Sequence, residues 1–289
     1  MKKILISDSG STKTDWVSIT QSDANLLETA TYTGCGLNPV FLDESEIKKE
    51  LGHIAGHLGG SFDEIRFFGA GVGNTPMKEK MLHCLDLIFE CPDIIVDTDI
   101  AGAAKAVLGD KAGIACIMGT GSNSCHYNGM NVDRTIPSLG FILDDNGGGV
   151  AFGKRLVSDI FKGIAPEEIC IDFNERFNLT VEEVLNHIYR CPAPNRWLAG
   201  FMPFILEHKT HPYIASMIAI QIELFFNREL RRYPETELTG EGIGFVGSVA
   251  SQLSAEIISN ASARGWKVRD IIAKPIDALI DKTIKNHND

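Results

Sequence analysis

Three short runs at the start of the chain have the length and apolar content of β-strands. They cover residues 3–8, which contain the apolar run Ile4-Leu5-Ile6, residues 15–20 and residues 26–33. Short apolar runs bounded by small polar residues are typical of strands. We therefore predict a meander of three antiparallel strands, which commonly forms the edge of a mixed sheet.

Apolar residues then recur at helical spacing between residues 44 and 58, which predicts a helix there. Further along, the pattern predicts alternating strands and helices at residues 64–69, 76–89, 93–97 and 100–108. Thr75 is the predicted N-cap of the helix that begins at Pro76, because proline is favoured at the first helical position.

The strand–turn–strand pattern that opens the first half of the chain recurs from residue 113. The predicted elements are a strand over 113–119, a turn over 119–123, a strand over 124–127, a mostly helical section over about 150–232, a strand over 242–246, a helix over 249–258 and an amphipathic helix over 276–284. We therefore predict two α/β domains. The first is residues 1–110 with the C-terminal helix (276–289) packing back on it, and the second is residues 111–275 with the helical section.

The composition excludes several classes of protein. The 289 residues suit two domains of about 100–200 residues each. The net charge is 27 − 38 = −11 and no basic block stands out, so we expect neither a nucleic-acid nor a membrane partner. The seven cysteines include no C-x-x-C pair, which argues against a disulfide framework or a zinc site. Reduced thiols and the lack of a long apolar run predict a cytoplasmic protein.

Two loops combine glycine with hydroxyl side chains. The first is Ser9-Gly10-Ser11-Thr12-Lys13-Thr14, and the second is Gly119-Thr120-Gly121-Ser122-Asn123. Glycine lets backbone N–H groups approach a phosphate closely, and hydroxyls add donors. Either loop alone also fits an ordinary turn. The occurrence of two such loops at corresponding places in the two predicted domains favours phosphate binding. Asp8 would repel a phosphate unless Mg²⁺ lies between them, usually bound through water.

These loops resemble those of a known superfamily. Residues 8–14 resemble the first phosphate loop of the sugar kinase/Hsp70/actin superfamily, residues 119–123 its second, and residues 242–250 its adenosine loop. Neither phosphate loop has the P-loop pattern G-x-x-x-x-G-K-[ST]. More narrowly, residues 98–103 (TDIAGA), 119–123 (GTGSN) and 139–147 (LGFILDDNG) resemble the N-acetylglucosamine kinase family. That family belongs to the BadF/BadG/BcrA/BcrD ATPase group.

The resemblance implies a fold and an activity. The fold is α/β, with two ribonuclease H-like (actin-like ATPase) domains whose mixed sheets flank a cleft and with a helical insertion in the second domain. The activity is ATP-dependent phosphorylation of an amino-hexose, N-acetylglucosamine or glucosamine, by in-line transfer of the γ-phosphoryl group to a sugar hydroxyl. ATP and Mg²⁺ are the implied cofactors, a sugar is the implied small-molecule partner, and a homodimer is implied because family members are often dimers.

The resemblance also assigns roles to single residues. Asp99 matches the base that accepts the proton of the sugar hydroxyl, and Asp8 matches the Mg²⁺ position. The residues that match sugar or adenosine contacts are Asn38, Asn123, Asp145, Gly247 and Ser248.

Some of these assignments have rivals within the sequence. Asp97, Asp144 and Asp145 compete with Asp99 for the role of base, and an aspartate at a strand end is also a common helix cap. Val40 and Leu139 stand where some relatives carry an aromatic residue, which usually supports a sugar face. N-acetylglucosamine, glucosamine and glucose are therefore all candidate substrates.

Three other functions compete with a sugar kinase. Residues 67–74 (FFGAGVGN) resemble the dinucleotide-binding turn of an oxidoreductase, but Asn74 replaces the third glycine of G-x-G-x-x-G. An ATPase activator of a partner redox enzyme would hold an iron–sulfur cluster with grouped cysteines, and the cysteines here are scattered. A non-catalytic sensor or scaffold is the third alternative, against which the intact acids and loops argue.

Overall fold

The protein is described by a computed structural model that covers residues 2–10, 12–21 and 27–286. The chain divides into two compact units. Unit 1 comprises residues 1–115, 127–133 and 274–289, and unit 2 comprises residues 116–126 and 134–273. The domain boundary placed from the sequence at residues 110 and 111 stays a prediction.

The strands of the described residues form two five-stranded sheets. In chain order the strands are β1 Lys2–Ser9, β2 Lys13–Gln21, β3 Leu27–Cys35, β4 Glu64–Gly69, β5 Ile94–Thr98, β6 Ala112–Met118, β7 Ser122–Asn128, β8 Val132–Thr135, β9 Ile243–Val246 and β10 Val268–Ile272. The strand order is β3-β2-β1-β4-β5 in one sheet and β10-β9-β6-β7-β8 in the other. β2 is antiparallel to β1 and β3, whereas β1, β4 and β5 are parallel. The predicted meander on a mixed sheet is confirmed.

The helices fall largely where the sequence places them. In chain order they are α1 Glu44–Leu58, α2 Thr75–Ile88, α3 Asp99–Leu108, α4 Gly140–Leu143, α5 Gly149–Phe161, α6 Glu167–Phe177, α7 Val181–Tyr189, α8 Pro194–Ala199, α9 Met202–Glu207, α10 Pro212–Arg228, α11 Ser248–Gln252, α12 Ser254–Ser262 and α13 Pro275–Asn286. A 3₁₀ turn covers Leu230–Arg232 and a π turn covers Glu237–Glu241. Within the described ranges, no helix combines the length and apolar character that crossing a bilayer requires.

The first helix, α1, forms for reasons that are visible in its sequence. Ile47, Leu51 and Ile54 recur at helical spacing, and all three are fully buried in the core of unit 1. A capping box starts the helix, because Asp43 Oδ1 accepts a hydrogen bond from Glu46 N at 2.9 Å and Glu46 Oε2 accepts one from Asp43 N at 2.8 Å. The helix therefore begins at a fixed point, a few residues after the predicted sugar contact Asn38.

Some details of the predicted elements are wrong. Asn74 rather than Thr75 caps α2, because Asn74 Oδ1 accepts a hydrogen bond from Met77 N at 3.0 Å. The helix predicted over 249–258 is two helices, α11 and α12, because Leu253 departs from helical dihedrals with φ −108° and ψ 25°. β8 and β10 were not predicted, since they are edge strands without a buried residue and so have no apolar pattern.

The helix α3 packs very closely against β4. A Cβ atom added at Gly102 would lie 2.8 Å from both Cβ and Cγ of Phe68, and the adjacent Ala101 and Ala103 are buried. These small side chains let the helix backbone approach the sheet. The first residue of α3, Asp99, is thereby set at the carboxyl end of the neighbouring strand β5.

We predict that Gly102→Ala lowers the free energy of unfolding by about 1–3 kcal/mol, because the added methyl group overlaps Phe68 in a packed interior. Gly52→Ala in α1 is the matched control, since Gly52 is exposed and no atom lies within 4 Å of the added Cβ. Alanine is the better helix former, so this variant should gain up to about 1 kcal/mol. Urea unfolding measures both. A shift of the two variants in the same direction would contradict the close contact.

Candidate active site

The first predicted phosphate loop is the turn between β1 and β2. Gly10 N donates a hydrogen bond to the carbonyl oxygen of Lys13 at 3.0 Å, which closes the turn. Lys13 is exposed, and its Nζ lies 2.5 Å from Oδ2 of Asp15. Thr12 and Gly10 are partly exposed, and Ser11 lies outside the described residues. The described part of the turn thus presents backbone, the hydroxyl residue Thr12 and the cation of Lys13 at the surface of unit 1.

The hydroxyls that flank this turn are buried and bonded inside unit 1. Ser9 Oγ and Thr14 Oγ1 lie 2.8 Å apart, and both residues are fully buried. Thr14 Oγ1 donates to the carbonyl oxygen of Cys35 at 2.9 Å, and Leu37 N donates to Ser9 Oγ at 3.1 Å. The Ser9 hydroxyl must then donate to Thr14, because Thr14 gives its own proton to Cys35. These two hydroxyls tie the hairpin to the loop that follows β3.

Asp8 and Asp99 lie at the carboxyl ends of two parallel strands, β1 and β5, with β4 between them. Thr98 is the residue that caps α3, since its Oγ1 accepts a hydrogen bond from Ala101 N at 3.2 Å. Asp99 is the first helical residue, and its Oδ1 accepts a hydrogen bond from Ile100 N at 2.8 Å. The capping role considered for Asp99 therefore falls to Thr98.

The surroundings oppose ionisation of both acids. Burial raises the pKa of Asp8 to about 7, and the negative charges of Asp99 and Asp15 add to the effect against the charge of Lys13. Burial also raises the pKa of Asp99 to about 6, although the N–H of Ile100 favours the charged form. A carboxyl group with a pKa near the working pH can accept a proton and return it. Shifts of this kind cluster at functional sites.

The rival acid Asp97 lies within β5. It pairs in register with Phe68 of β4, which in turn pairs with Asp8 of β1. Asp97 Oδ1 accepts a hydrogen bond from Thr98 N at 2.8 Å. Asp99 makes the same kind of bond to Ile100 N, so the two acids differ in position, with Asp97 inside β5 and Asp99 at the start of α3.

The acids of unit 1 fit a hard divalent cation. In the part of the chain that the structure describes, no three His, Cys, Asp or Glu side chains form a group that could hold a metal ion. Mg²⁺ does not need such a group, because it is usually held by one or two carboxylates, phosphate oxygens and waters. Asp8, with Asp99 close enough to raise its pKa, supplies oxygen donors of that kind. A cation there would favour the charged form of Asp8.

The predicted sugar residue Asn38 is buried at the start of a tight loop. Its Oδ1 accepts a hydrogen bond from Val40 N at 3.0 Å, and its carbonyl oxygen accepts bonds from the N–H groups of Phe41 and Leu42 at 3.1 Å. Gly71 has φ +83°, and a Cβ added there would lie 2.0 Å from Asn38 Oδ1. The glycine turn after β4 therefore packs against this amide.

The second predicted phosphate loop joins β6 to β7. Gly119 N donates a hydrogen bond to the carbonyl oxygen of Gly121 at 2.9 Å. The carbonyl oxygens of Gly119 and Thr120 accept bonds from the N–H groups of Gly149 and Val150 at 2.8 and 2.9 Å. The first N–H groups of α5 are thus used by the loop. The loop is held by the start of a thirteen-residue helix.

Asp145 and Asn123 both accept hydrogen bonds from backbone at the end of this loop. Asp145 has φ 63°, and its Oδ1 accepts a hydrogen bond from Ser122 N at 2.9 Å. A Cβ added at Gly121 would lie 2.5 Å from the same oxygen. Burial raises the pKa of Asp145. Asn123 Oδ1 accepts a bond from Ser124 N at 2.8 Å, so each predicted sugar residue of unit 2 has one oxygen bonded to the backbone of its loop.

Sequence reasoning missed an acidic group behind the second loop. Glu229 is buried, and burial raises its pKa to about 7, with the charge of Asp144 adding to the effect. Ser124 Oγ lies 3.4 Å from Glu229 Oε2 and 3.0 Å from the hydroxyl of Tyr233. Ser124 directly follows the loop, but Glu229 is 105 residues away. No local pattern could have connected them.

The predicted adenosine residues lie where β9 meets α11. Gly247 has φ +124°, and a Cβ added there would lie 2.3 Å from the carbonyl oxygen of Met118. Gly247 N donates a hydrogen bond to the carbonyl oxygen of Ile272 at 2.9 Å. Ser248 follows as the exposed first residue of α11. Only glycine fits this turn, because it is close-packed and has positive φ.

The predicted residues thus fall into two groups, one in each unit. In unit 1, hydrogen bonds link the first loop to the segment before Asn38, and charge links Asp8 to Asp99. In unit 2, Asp145 and the Gly247 turn both contact the second loop or the strand end before it. The seven cysteines are free.

Comparison with known proteins places these groups in a family. No protein-family model matches the chain, and no curated protein matches it. A solved structure of ROK family glucokinase from Streptomyces griseus, in complex with glucose and AMPPNP, has a TM-score of 0.53 at 13% identity over 94% of both chains. This likeness shows the actin-like kinase fold.

Two further solved structures are more similar. A provisionally named N-acetylglucosamine kinase from Chromobacterium violaceum has a TM-score of 0.73 at 14% identity, over 98% of this chain and 99% of that one. A provisionally named N-acetylglucosamine kinase from Porphyromonas gingivalis has a TM-score of 0.89 at 36% identity, over 98% of this chain and 99% of that one. The resemblance found in the sequence is confirmed, and the chain belongs to the N-acetylglucosamine kinase family of sugar kinases.

Proposed function

We propose that the protein is an ATP-dependent kinase of an amino-hexose, N-acetylglucosamine or glucosamine. The observation that supports this most directly is the pair of partly buried acids, Asp8 and Asp99, whose pKa values are raised to about 7 and about 6 at the ends of parallel strands. The pair lies in the unit that carries the glycine turn of residues 9–14. The name of the 36% identical relative points to the same substrate class.

In this proposal Asp99 acts as the base. Its ionised carboxylate accepts the proton of a sugar hydroxyl while the hydroxyl oxygen forms a bond to the γ-phosphorus of ATP. The bond from the γ-phosphorus to the oxygen that bridges the β and γ positions breaks, and its electron pair leaves with ADP. Phosphoryl transfer depends mainly on positioning and on charge stabilisation. One carboxylate that orients the attacking sugar hydroxyl is therefore the only catalytic side chain that the sugar side of the reaction requires.

Asp8 would hold the cation in this proposal, directly or through water. Mg²⁺, when bound, neutralises negative charge on the phosphate oxygens. The charge of Asp99 and the burial of Asp8 make an unbalanced negative site. An ionised Asp8 therefore gains more from a cation than an exposed aspartate would.

The phosphate and adenosine contacts are assigned to main-chain turns. In the first loop we assign them to Gly10, Thr12 and Lys13, whereas Ser9 and Thr14 hold the turn in shape because their hydroxyls are bonded within the unit. The remaining contacts are assigned to Gly119, Thr120, Gly121 and Ser122 for phosphate and to Gly247 and Ser248 for adenosine. The close approaches at Gly121 and Gly247 support the assignments in those two turns.

The sugar contacts are assigned to Asn38, Asn123 and Asp145. Amide and carboxylate groups suit the hydroxyls of a sugar, since they offer planar donors and acceptors. Each of these side chains has an oxygen bonded to nearby backbone, which limits its rotation. A homodimer and a cytoplasmic location stay predictions.

An ATP-consumption screen tests the activity itself. With Mg²⁺ present, we expect sugar-dependent release of ADP with N-acetylglucosamine or glucosamine and slower release with glucose. Phosphorus NMR of the product should show a sugar phosphate rather than free phosphate. Consumption of ATP that does not depend on any hexose would contradict the proposal.

Replacing the proposed base should slow turnover much more than it weakens sugar binding. General-base help is typically worth about 10²–10⁴-fold, so Asp99→Asn should lose kcat by a factor in that range. The amide keeps the shape and can still accept a hydrogen bond from the sugar. Asp97→Asn is the matched control, because Asp97 makes the same kind of hydrogen bond to the next backbone amide but lies inside β5. It should keep most activity. If the two variants exchanged these outcomes, Asp99 would not be the base.

Removing the charge of Asp8 should stabilise the protein at neutral pH when no cation is present. The pKa of Asp8 is raised from 3.8 to about 7 in the folded state, so the folded state binds more protons than the unfolded state between these values. The free energy of unfolding then falls as pH rises through that window, and the loss is complete above pH 7. Asp8→Asn escapes this loss and should be more stable than the parent by about 1–3 kcal/mol at pH 8.

Denaturant unfolding with a chelator at pH 4 and pH 8 measures this difference, which should vanish at the lower pH. Added Mg²⁺ should stabilise the parent and not Asp8→Asn. Asp15→Asn is the control, because the hydrogen bonds that Asp15 accepts from Lys13 and Thr33 outweigh its burial and lower its pKa. Asp15→Asn relieves Asp8 of one negative charge but weakens these hydrogen bonds, so it should gain less stability at pH 8 than Asp8→Asn. An equal gain would contradict the assignment of the unfavourable burial to Asp8.

A further inference from the structure

A lysine outside the predicted site contacts the loop that carries Asn38. Lys80 lies on α2, and its Nζ donates hydrogen bonds to the carbonyl oxygens of Pro39 at 2.9 Å and Leu42 at 2.6 Å. The ammonium group has three donors, so two of them are spent on this one loop. Bonds from a charged donor are stronger than bonds between neutral groups.

The two carbonyl oxygens that Lys80 binds lie at positions that the loop itself does not use. Inside the loop, the carbonyl oxygen of Asn38 accepts bonds from Phe41 N and Leu42 N, and Asn38 Oδ1 accepts one from Val40 N. These bonds define a compact turn. The side chains of Val40 and Phe41 are 56% and 76% exposed, so apolar packing of these two side chains does not fix the turn.

A second contact also constrains the loop. Gly71, in the turn between β4 and α2, leaves room for the Asn38 amide, since an added Cβ would lie 2.0 Å from Oδ1. The turn after β4 and the first half of α2 therefore contact the loop at two places, one by shape and one by charge. Both contacts belong to unit 1.

We propose that Lys80 is a positioning residue for sugar binding, which acts by holding the 38–42 loop so that Asn38 meets the sugar in one orientation. This inference rests on the proposed sugar kinase function. It assigns to α2 a role that the chemistry of the acids does not require. Lys80 touches neither the base nor the phosphate loops in the contacts described, so its loss should affect the sugar and not ATP.

Kinetics of Lys80→Met test this role, because methionine keeps the length of the side chain and removes its donors. The Michaelis constant for the sugar should rise by about tenfold or more, since hydrogen bonds to charged groups carry at least that factor. The Michaelis constant for ATP and kcat should stay within about threefold of the parent. Lys78→Met on the same helix is the matched control, because Lys78 is exposed, and it should leave all three constants unchanged.

Lys80→Arg is the second variant, because arginine keeps the positive charge and the hydrogen-bond donors but places the donors on a planar guanidinium group. Its sugar Michaelis constant should lie between those of the parent and Lys80→Met. Equal impairment of the two variants would overturn a role for the donors. An equal rise in the constants for sugar and ATP would overturn a role specific to the sugar.

Amide hydrogen exchange without any ligand separates this inference from the proposed activity. The N–H groups of Phe41 and Leu42 should exchange faster in Lys80→Met than in the parent and in Lys78→Met. Unchanged exchange would overturn the inference even if the parent phosphorylates the sugar. A third outcome is faster exchange in Lys80→Met while the parent phosphorylates no hexose. This outcome would support the role of Lys80 in holding the 38–42 loop, but it would contradict both its role in sugar binding and the proposed kinase activity.

Discussion

The close contact between α3 and β4 is the constraint on which the acidic part of the site depends. Because Gly102 brings only backbone against Phe68, the helix lies near enough to the sheet for Asp99 to follow β5 without a connecting loop. Helix start and strand end then coincide, and the Asp99 carboxylate comes within electrostatic range of Asp8. Small residues in the helix, rather than contacts of the acids themselves, bring the two carboxylates together.

The hydroxyls and the acids beside the first loop are buried in different ways. The buried hydroxyls of Ser9 and Thr14 are bonded in series to one another and to the backbone at Cys35 and Leu37, so their burial costs little. Burial of Asp8 and Asp99 raises the pKa of each carboxyl group and so favours its neutral form. Proteins retain unfavourable burial of this kind mainly at functional sites. This difference supports the proposal that a cation or substrate binds the acids and not the hydroxyls.

Local patterns in the sequence were enough to predict most of the fold. The apolar spacing of α1 and the three opening strands are each visible within a few residues, and so is the order of the glycine loops. What failed depended on geometry or distance. Three residues in a row, Asp97, Thr98 and Asp99, can all cap a helix, and only the backbone selects Thr98. Glu229 meets Ser124 across 105 residues, and Lys80 meets Leu42 across 38, so neither contact leaves a local trace.

The predicted phosphate loops also show that a sequence motif can indicate which segment binds a ligand without indicating which atoms of that segment bind it. In the first loop the hydroxyls at its two ends are used to hold the turn. In the second loop Asp145 binds Ser122 N, and Gly148 lets the start of α5 contact the backbone of Gly121. Both loops are therefore shaped before a ligand binds, the first by hydroxyls of its own motif and the second by residues outside its motif. A turn fixed in this way offers its main chain to a phosphate without the entropic cost of ordering a mobile loop. In the proposed phosphate sites, the side chains in the motif would then affect affinity indirectly, through the shape of the backbone.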